Sequence, residues 1–364
     1  MTQKRNYGID LLRIVATFMV LVLHVLGAGG IVNAIDASSS IYITSWALRM
    51  AAYCAVNCYG LISGYVGVRA RFRLSNLMLL WLQVSLTGVV LTVSSYFLGA
   101  EVTLLDLASS SMPLIYEMFW YFTAYVCVYL LSPFLNQLIE KLDKSNTIMM
   151  FVVLTVLFSI IPTFLHIDKF GVNSGYSATW LAVLYLVGGA IRKHYAESKV
   201  KKKILLGGYL LAVALTLFTK LGIEYLGFTL YTSDFLMSYN SPTMVMAGVC
   251  LLLLFANLKV EKIKKPIAFF APFTFGVYII HSHPAIYNNF IANRFTSFSK
   301  LHPIVLVLAI LLLVTVIFMA CSVMEFLRIK LFALLHFKEL CKLVENKLAM
   351  FSKRILKYDR ENNE

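Results

Sequence analysis

The chain has 364 residues and a formal net charge of +14, yet only 14% of its residues are charged and 60% are hydrophobic. A soluble protein carries about a quarter charged residues, so this composition excludes the soluble globular class. Several uncharged runs are long enough to cross a bilayer as a helix. The sequence therefore predicts an all-α fold, a polytopic membrane helix bundle.

The first apolar run follows Lys4 and Arg5, as the core of a signal peptide would. It extends beyond the roughly 7–15 residues of such a core, and it contains Arg13 and His24. We therefore interpret it as an uncleaved first span. Because a cation is costly inside a bilayer, these two residues need a structural or functional reason.

Hydropathy predicts about ten spans in a transmembrane domain of residues 1–327. The tail, residues 328–364, has apolar residues at helical spacing with lysines opposite, which predicts a basic amphipathic helix on the cytoplasmic face of the membrane. The predicted spans are residues 8–29, 42–66, 77–98, 117–137, 146–166, 176–191, 204–222, 239–257, 266–288 and 303–327.

Basic residues are concentrated in every second loop. They precede the first span and recur at 69–73, 192–203 and 259–265, whereas the opposite loops carry more acidic residues. This asymmetry predicts a multi-pass protein of the cell membrane with both termini in the cytoplasm. The positive charge also favours contact with anionic membrane lipid. Because it is scattered over many loops, nucleic-acid binding is not expected.

Six cysteines are present, and five of them fall inside predicted spans. Cys54 and Cys58 share one helix face, where disulfide geometry is poor. The cysteine spacing fits no metal site. We expect the cysteines to be packing residues and the protein to hold no metal.

Two histidines are predicted at the same membrane depth. His24 follows Arg13 by eleven residues, about three helical turns, so both lie on one helix face about 16 Å apart along the axis. His281 lies equally far into the span of residues 266–288, which runs in the same direction as the first span. Histidine is suited to general base catalysis near neutral pH.

A second group of polar residues belongs to the span of residues 42–66 and its end. Asn57 is predicted at mid-depth, and Arg69, Arg71 and Arg73 follow the span directly. Guanidinium groups bind phosphates through two parallel donors. This arrangement fits an anionic donor molecule that enters at the arginines and whose reactive end reaches a base farther out.

Each of these residues also has a structural alternative. An intramembrane histidine can hydrogen-bond one helix to another, and the first-span arginine can reach the interface with its long side chain. The loop arginines can serve only as topology determinants. Glu325, near the inner end of the last span, can pair with Arg328 or Lys330.

The sequence resembles the membrane acyltransferase-3 family. That family has an arginine followed, after ten intervening residues, by a histidine in its first span, and Arg13 and His24 match this pattern. The resemblance implies a stand-alone enzyme that transfers an acyl group, usually acetyl, from cytoplasmic acyl-CoA to a hydroxyl of an extracytoplasmic or lipid-linked glycan. Four further stretches agree in the family's order: "VNCYGLISGYV" (56–66), "FWYFTAYVCVYLLSPFLN" (119–136), "YLVGGAIRK" (185–193) and "FTFGVYIIHS" (273–282).

The resemblance also implies roles for individual residues. His24 would be the catalytic base, and Arg13 would bind a CoA phosphate or hold the polar track that leads to it. Two of Arg69, Arg71 and Arg73 would form the family's arginine-x-arginine pair, which binds the nucleotide phosphates. The donor would be acetyl-CoA or another acyl-CoA, with no permanently bound cofactor.

The acceptor side is less closely defined. Trp120 and Tyr121 could stack on a sugar ring, while His281 and Asn57 could orient the acceptor or the thioester carbonyl. The expected partners are therefore acyl-CoA, a glycan or lipid-linked sugar acceptor, and membrane lipid. The alternative function is transport of a small polar solute or an acylated sugar along the same polar track. The sequence gives no sign of the inverted repeat or the interrupted helix pair that is typical of transporters.

Overall fold

The computed structural model describes residues 5–196, 200–227, 232 and 234–361, with side chains up to residue 351. This part of the chain is an all-α bundle with no strand. Short 3₁₀ or π turns join several of its helices. The first eight helices are α1 (Tyr7–Leu26), α2 (Ser40–Ala52), α3 (Ala55–Gly67), α4 (Leu74–Phe97), α5 (Leu104–Ser111), α6 (Trp120–Lys141), α7 (Lys144–Thr155) and α8 (Ile161–Leu165).

The second half of the bundle contains the longest helix, α15. Its helices are α9 (Ala178–His194), α10 (Lys202–Leu226), α11 (Pro242–Ala256), α12 (Lys264–Phe270), α13 (Thr274–Ser282), α14 (Pro284–Ile286), α15 (Pro303–Leu334) and α16 (Phe337–Glu361).

Among the described residues, seven helical segments are long and apolar enough to cross a membrane. The polytopic bundle is thus confirmed, while the count of ten spans is not. The three remaining predicted spans are shorter or broken helices: α9 has 17 residues, α11 has 15, and residues 42–66 form two helices. The seven segments are Tyr7–Leu26, Leu74–Phe97, Trp120–Lys141, Lys144–Leu165, Lys202–Leu226, Glu261–Ser282 and Pro303–Leu334.

Two predicted spans are interrupted, and the prediction of continuous helices there is wrong. Residues 42–66 break at Tyr53 and Cys54, where α2 ends and α3 begins. Residues 266–288 break at His283, whose backbone is extended and which is followed by Pro284. Proline disfavours a helical conformation of the residue before it, so α13 ends at Ser282.

Helix α1 lies at the centre of the bundle and packs against α2, α3, α11 and α15. Its start is fixed by Asn6, whose side-chain oxygen accepts hydrogen bonds from the backbone N–H groups of Gly8 and Ile9. The Asn6 amide in turn donates to the carbonyl of Ala256 at the end of α11. The Asn6 side chain thus caps α1 and ties its start to the end of α11.

Helices α3 and α9 pack with their backbones in close contact. Gly64 faces the backbone of Tyr185, and Gly188 faces the backbone of Leu61, with no room for a side chain at either glycine. Small residues permit such an approach in membrane bundles. The contact brings Tyr185 and the end of α3 to one wall of a cavity.

The tail differs from the expected boundary. Helix α15 continues past residue 327 to Leu334, and the amphipathic helix α16 begins at Phe337. The side chains of residues 352–364 lie outside the described part. Helix α16 packs against α4, and Glu345 accepts hydrogen bonds from Ser75 and from the backbone of Leu74.

Candidate active site

His24 and His281, predicted at one depth, are in direct contact. The Nδ1 atom of His24 and the Nε2 atom of His281 lie 3.0 Å apart. His281 also places its Nδ1 atom 2.6 Å from the carbonyl oxygen of Val277. Because a carbonyl only accepts, Nδ1 of His281 is the protonated nitrogen.

This arrangement fixes the tautomer of both neutral rings. With its proton on Nδ1, His281 accepts through Nε2, so His24 must donate from its own Nδ1. The Nε2 atom of His24 then carries a free lone pair, and it has no hydrogen-bond partner among the described residues. His24 can therefore take a proton at Nε2, while the fully buried His281 lies behind it and holds the ring.

His24 lines a cavity of about 260 Å³ whose walls are largely aromatic. The predicted residues Trp120 and Tyr121 belong to these walls. Trp120 is packed against Tyr176 at 4.7 Å between ring centroids and is nearly parallel to Tyr239 at 6.3 Å. The wall also includes Tyr59, Tyr278 and Tyr287, which sequence reasoning did not single out.

Arg13 lies at the other end of the same helix face, as predicted. Its Nη1 atom is 2.9 Å from Asp10 Oδ1, and Arg5 approaches the second oxygen of that carboxylate at 2.5 Å. The Asp10 side chain is only 7% exposed, so the two guanidinium groups offset the cost of burying it. One carboxylate between two arginines leaves net positive charge. Sequence reasoning missed Asp10, although its three-residue spacing from Arg13 is the spacing of helical ion pairs.

A second cavity, of about 370 Å³, opens beside Arg13 and Arg71. Its remaining polar wall comes mostly from tyrosine, asparagine and glutamine side chains. It shares four wall residues with the His24 cavity, so the two cavities abut. The shared residues are Tyr59, Tyr121, Thr274 and Phe275.

The structure separates the three loop arginines. Only Arg71 lines the cavity, whereas Arg69 and Arg73 lie outside the walls of both cavities. The backbone of Arg73 is held by Tyr129, whose hydroxyl accepts from its N–H at 3.3 Å and donates to its carbonyl at 3.0 Å. This contact fixes where the loop ends and α4 begins.

Asn57 lines neither cavity, although its neighbour Val56 belongs to the wall of the His24 cavity. Its side-chain oxygen accepts from Trp180 Nε1 at 3.1 Å, and its amide donates to the backbone carbonyl of Tyr239 at 2.7 Å. Asn57 is fully buried and both ends of its amide are used. It therefore anchors the segment that holds Tyr239 beside Trp120.

Glu325 pairs with Arg328 through two contacts of 2.6 and 2.8 Å. This ion pair is one of the two that the sequence offered as its structural role. Gln83, which lines the Arg71 cavity, donates to the same carboxylate at 3.1 Å. Within the described residues, no group of three or more His, Cys, Asp or Glu side chains is arranged to hold a metal ion.

Comparison with known proteins identifies the family. Neither a search of curated proteins nor a search of solved structures gave a match. A family model of the acyltransferase-3 type, described as an acyltransferase domain, matches residues 6–323. That range contains both histidines, the arginine-lined cavity and every predicted site residue. The chain therefore belongs to this family and is a membrane acyltransferase.

Proposed function

We propose that this protein transfers an acyl group, acetyl in the simplest case, from acyl-CoA to a hydroxyl of an extracytoplasmic or lipid-linked glycan. The observation that carries the proposal is the free Nε2 lone pair of His24 on the wall of a cavity. Family membership supports acyl transfer rather than transport. We infer the chemical classes of the donor and the acceptor from the residues that line the two cavities.

The donor would occupy the cavity of Arg71 and Arg13. Acyl-CoA carries phosphates at one end and a thioester at the other. A cavity with arginines in its wall that adjoins a second cavity suits such a molecule. Guanidinium groups bind phosphate through two parallel donors. The thioester would reach the zone shared by the two cavities, where Tyr59 and Tyr121 form the wall.

The acceptor hydroxyl would approach from the His24 side. His24 Nε2 removes its proton as the hydroxyl oxygen attacks the thioester carbonyl carbon, forming the ester C–O bond. The C–S bond then breaks, and the proton passes from His24 to the departing CoA sulfur. His281 would be a positioning residue, because it holds the His24 ring through Nδ1.

The orientation follows from the same proposal. If the basic loops face the cytoplasm, the Arg71 cavity opens to cytoplasmic CoA and the His24 cavity faces the extracytoplasmic side. The aromatic wall with Trp120 would then meet the glycan, since flat apolar rings with polar edges suit amphipathic ligands.

The test is release of CoA from acetyl-CoA by the purified protein with candidate glycans as acceptors. His24→Ala should lower turnover by about 10²–10⁴-fold, as expected for loss of a general base. The matched control is His302→Ala, because His302 is exposed at the start of α15, away from both cavities. Retention of more than about a tenth of wild-type turnover by His24→Ala would refute the assignment of His24 as the base.

A further inference from the structure

A third cavity lies beside the His24 cavity, behind a single layer of aromatic rings. It has a volume of about 370 Å³, and its walls include Thr163, Asp168 and Asn240. Tyr176 belongs to this cavity and Tyr239 to the His24 cavity, and their ring centroids are 4.8 Å apart. These two rings separate the cavities, which share no wall residue, so a chain-like ligand reaches both only by passing this ring pair.

Asn240 presents an acceptor that no group in the described part of the chain uses. Pro162 has no N–H and cannot donate to the carbonyl of Phe158, four residues earlier. The Asn240 amide nitrogen donates to that carbonyl at 3.1 Å instead. This bond fixes the amide orientation and leaves Oδ1 of Asn240 without a partner, although the residue is only 2% exposed.

Thr163, on the wall of the same cavity, also carries a buried polar atom. It is 5% exposed, and its hydroxyl also lacks a hydrogen-bond partner among the described residues. A buried polar atom without a partner is destabilising, so native proteins rarely keep two of them on one cavity wall without a ligand. By contrast, Thr92 and Ser110 line another cavity near His283, and their hydroxyls bond to each other.

The charges indicate the class of ligand. The Asp168 carboxylate already accepts from the backbone N–H groups of Val172 and Asn173, at 2.7 and 2.6 Å. Asp234, also on the wall, lies 3.6 Å from the ammonium group of Lys220. Each carboxylate therefore already has donors or a cation near it, although Lys220 also pairs with Glu224 at 2.7 Å. The cavity offers several oxygen acceptors and a half-exposed Tyr176 ring, a combination that suits a neutral molecule with many hydroxyl donors.

We propose that this cavity, the Asn240 subsite, binds a sugar unit of the acceptor next to the unit whose hydroxyl reaches His24. This inference rests on the proposed function and narrows it. The acceptor is then an oligosaccharide or polysaccharide with at least two sugar units, and a single sugar is a poor acceptor. Oδ1 of Asn240 and the hydroxyl of Thr163 accept from hydroxyls of the bound unit, and Tyr176 packs on its apolar face.

The subsite can be tested in intact cells of the source organism, where the natural acceptor is present and need not be identified first. The photo-reactive amino acid p-benzoylphenylalanine replaces Phe235, an aromatic residue on the subsite wall. Ultraviolet light then links this side chain covalently to the molecule that contacts it. Attached carbohydrate is detected by hydrazide labelling after periodate oxidation. The same replacement at Phe218, which is 68% exposed on α10, is the control for attachment to lipid.

We expect a carbohydrate adduct at position 235 and none at position 218. Thr163→Val and Asn240→Leu should each lower its yield about tenfold, the effect of one lost hydrogen bond. Ser159→Ala should not, because Ser159 is equally buried and unpartnered but lies outside this cavity. Thermal unfolding of each variant shows whether it is folded.

Absence of a carbohydrate adduct at position 235, or an adduct that both variants leave unchanged, would overturn the subsite. The proposed function is tested separately by release of CoA from acetyl-CoA. An active enzyme without the adduct would refute only the subsite, whereas a protein that releases no CoA with any glycan would refute the proposed function.

Discussion

Glu345, in the last helix, accepts a hydrogen bond of 2.6 Å from the hydroxyl of Ser75, which lies 270 residues earlier in the sequence. A second bond of 2.7 Å comes from the backbone N–H of Leu74. The first turn of a helix has N–H groups without intrahelical partners, and a carboxylate there is stabilising. Glu345 thus acts as a cap for α4, supplied by the tail.

This cap makes docking of the tail dependent on pH. The hydrogen bond from Ser75, together with the backbone donors beside it, lowers the pKa of Glu345 below its ordinary value. A lowered carboxylate pKa stabilises the docked state above the ordinary pKa of about 4.3, and this contribution is lost as the pH falls through the lowered value. Spin labels on α16 and α4 should therefore separate between pH 5 and pH 3. Glu345→Gln should remove the pH dependence, and an unchanged profile in that variant would contradict the assignment.

His281 is expected to act on turnover rather than on donor binding. His281→Ala removes the acceptor that orients His24, and misplacement of a catalytic group by about 1 Å costs up to roughly 100-fold in rate. We expect kcat to fall by about ten- to a hundredfold while the KM for acetyl-CoA stays unchanged. His281→Gln, which keeps a side-chain acceptor, should recover part of the loss. A change confined to KM would mean that His281 contacts substrate instead.

Arg71 should be the most sensitive of the three loop arginines. Arg71→Lys keeps the charge but removes the two-donor geometry, so affinity for acetyl-CoA should fall by roughly 1.5–3 kcal/mol if one charge-assisted hydrogen bond is lost. Arg69→Lys and Arg73→Lys are matched controls, because neither arginine lines the cavity. Calorimetric titration measures the affinity. Equal losses in all three variants would show that the loop acts through its overall charge.

Gly64 is a test of the packing between α3 and α9. A methyl group at this position would meet the backbone of Tyr185. Gly64→Ala should therefore push α3 and α9 apart and lower the thermal unfolding temperature. Gly207→Ala is the control, since Gly207 on α10 faces open space and alanine is the better helix former. A Gly64→Ala protein as stable as the Gly207→Ala protein would show that the two helices separate without cost.

The pair of Arg13 and His24 shows how much the sequence determined. Helical geometry is local, so their spacing alone put them on one face of one helix. The position of His281 along its own span also followed from local rise. Because depth depends only on rise per residue, the sequence predicted that the two histidines share a level. Their direct contact is a finding of the structure.

The direction of each hydrogen bond was decided only by tertiary structure. Val277 orients His281 from one turn earlier on the same helix, which is a local contact. The free Nε2 atom of His24 depends in addition on the contact between His281 and His24, and no spacing rule brings rings on two different helices together. The same holds for the loop arginines. Three guanidinium groups within five residues are equivalent in sequence, and the course of the loop before α4 puts only Arg71 on the cavity wall.

The breaks within helices are a second feature that the sequence did not predict. Residues 42–66 are mostly apolar, so hydropathy alone gave one span there, but the chain breaks at Tyr53 and Cys54. Asn57, just after that break, looked like a polar residue available to substrate. Its two amide bonds, to Trp180 and to the backbone of Tyr239, come from residues more than 120 positions away. Side-chain composition sets which groups must be satisfied, whereas the packing of distant helices decides which partners satisfy them and which polar atoms stay free for a ligand.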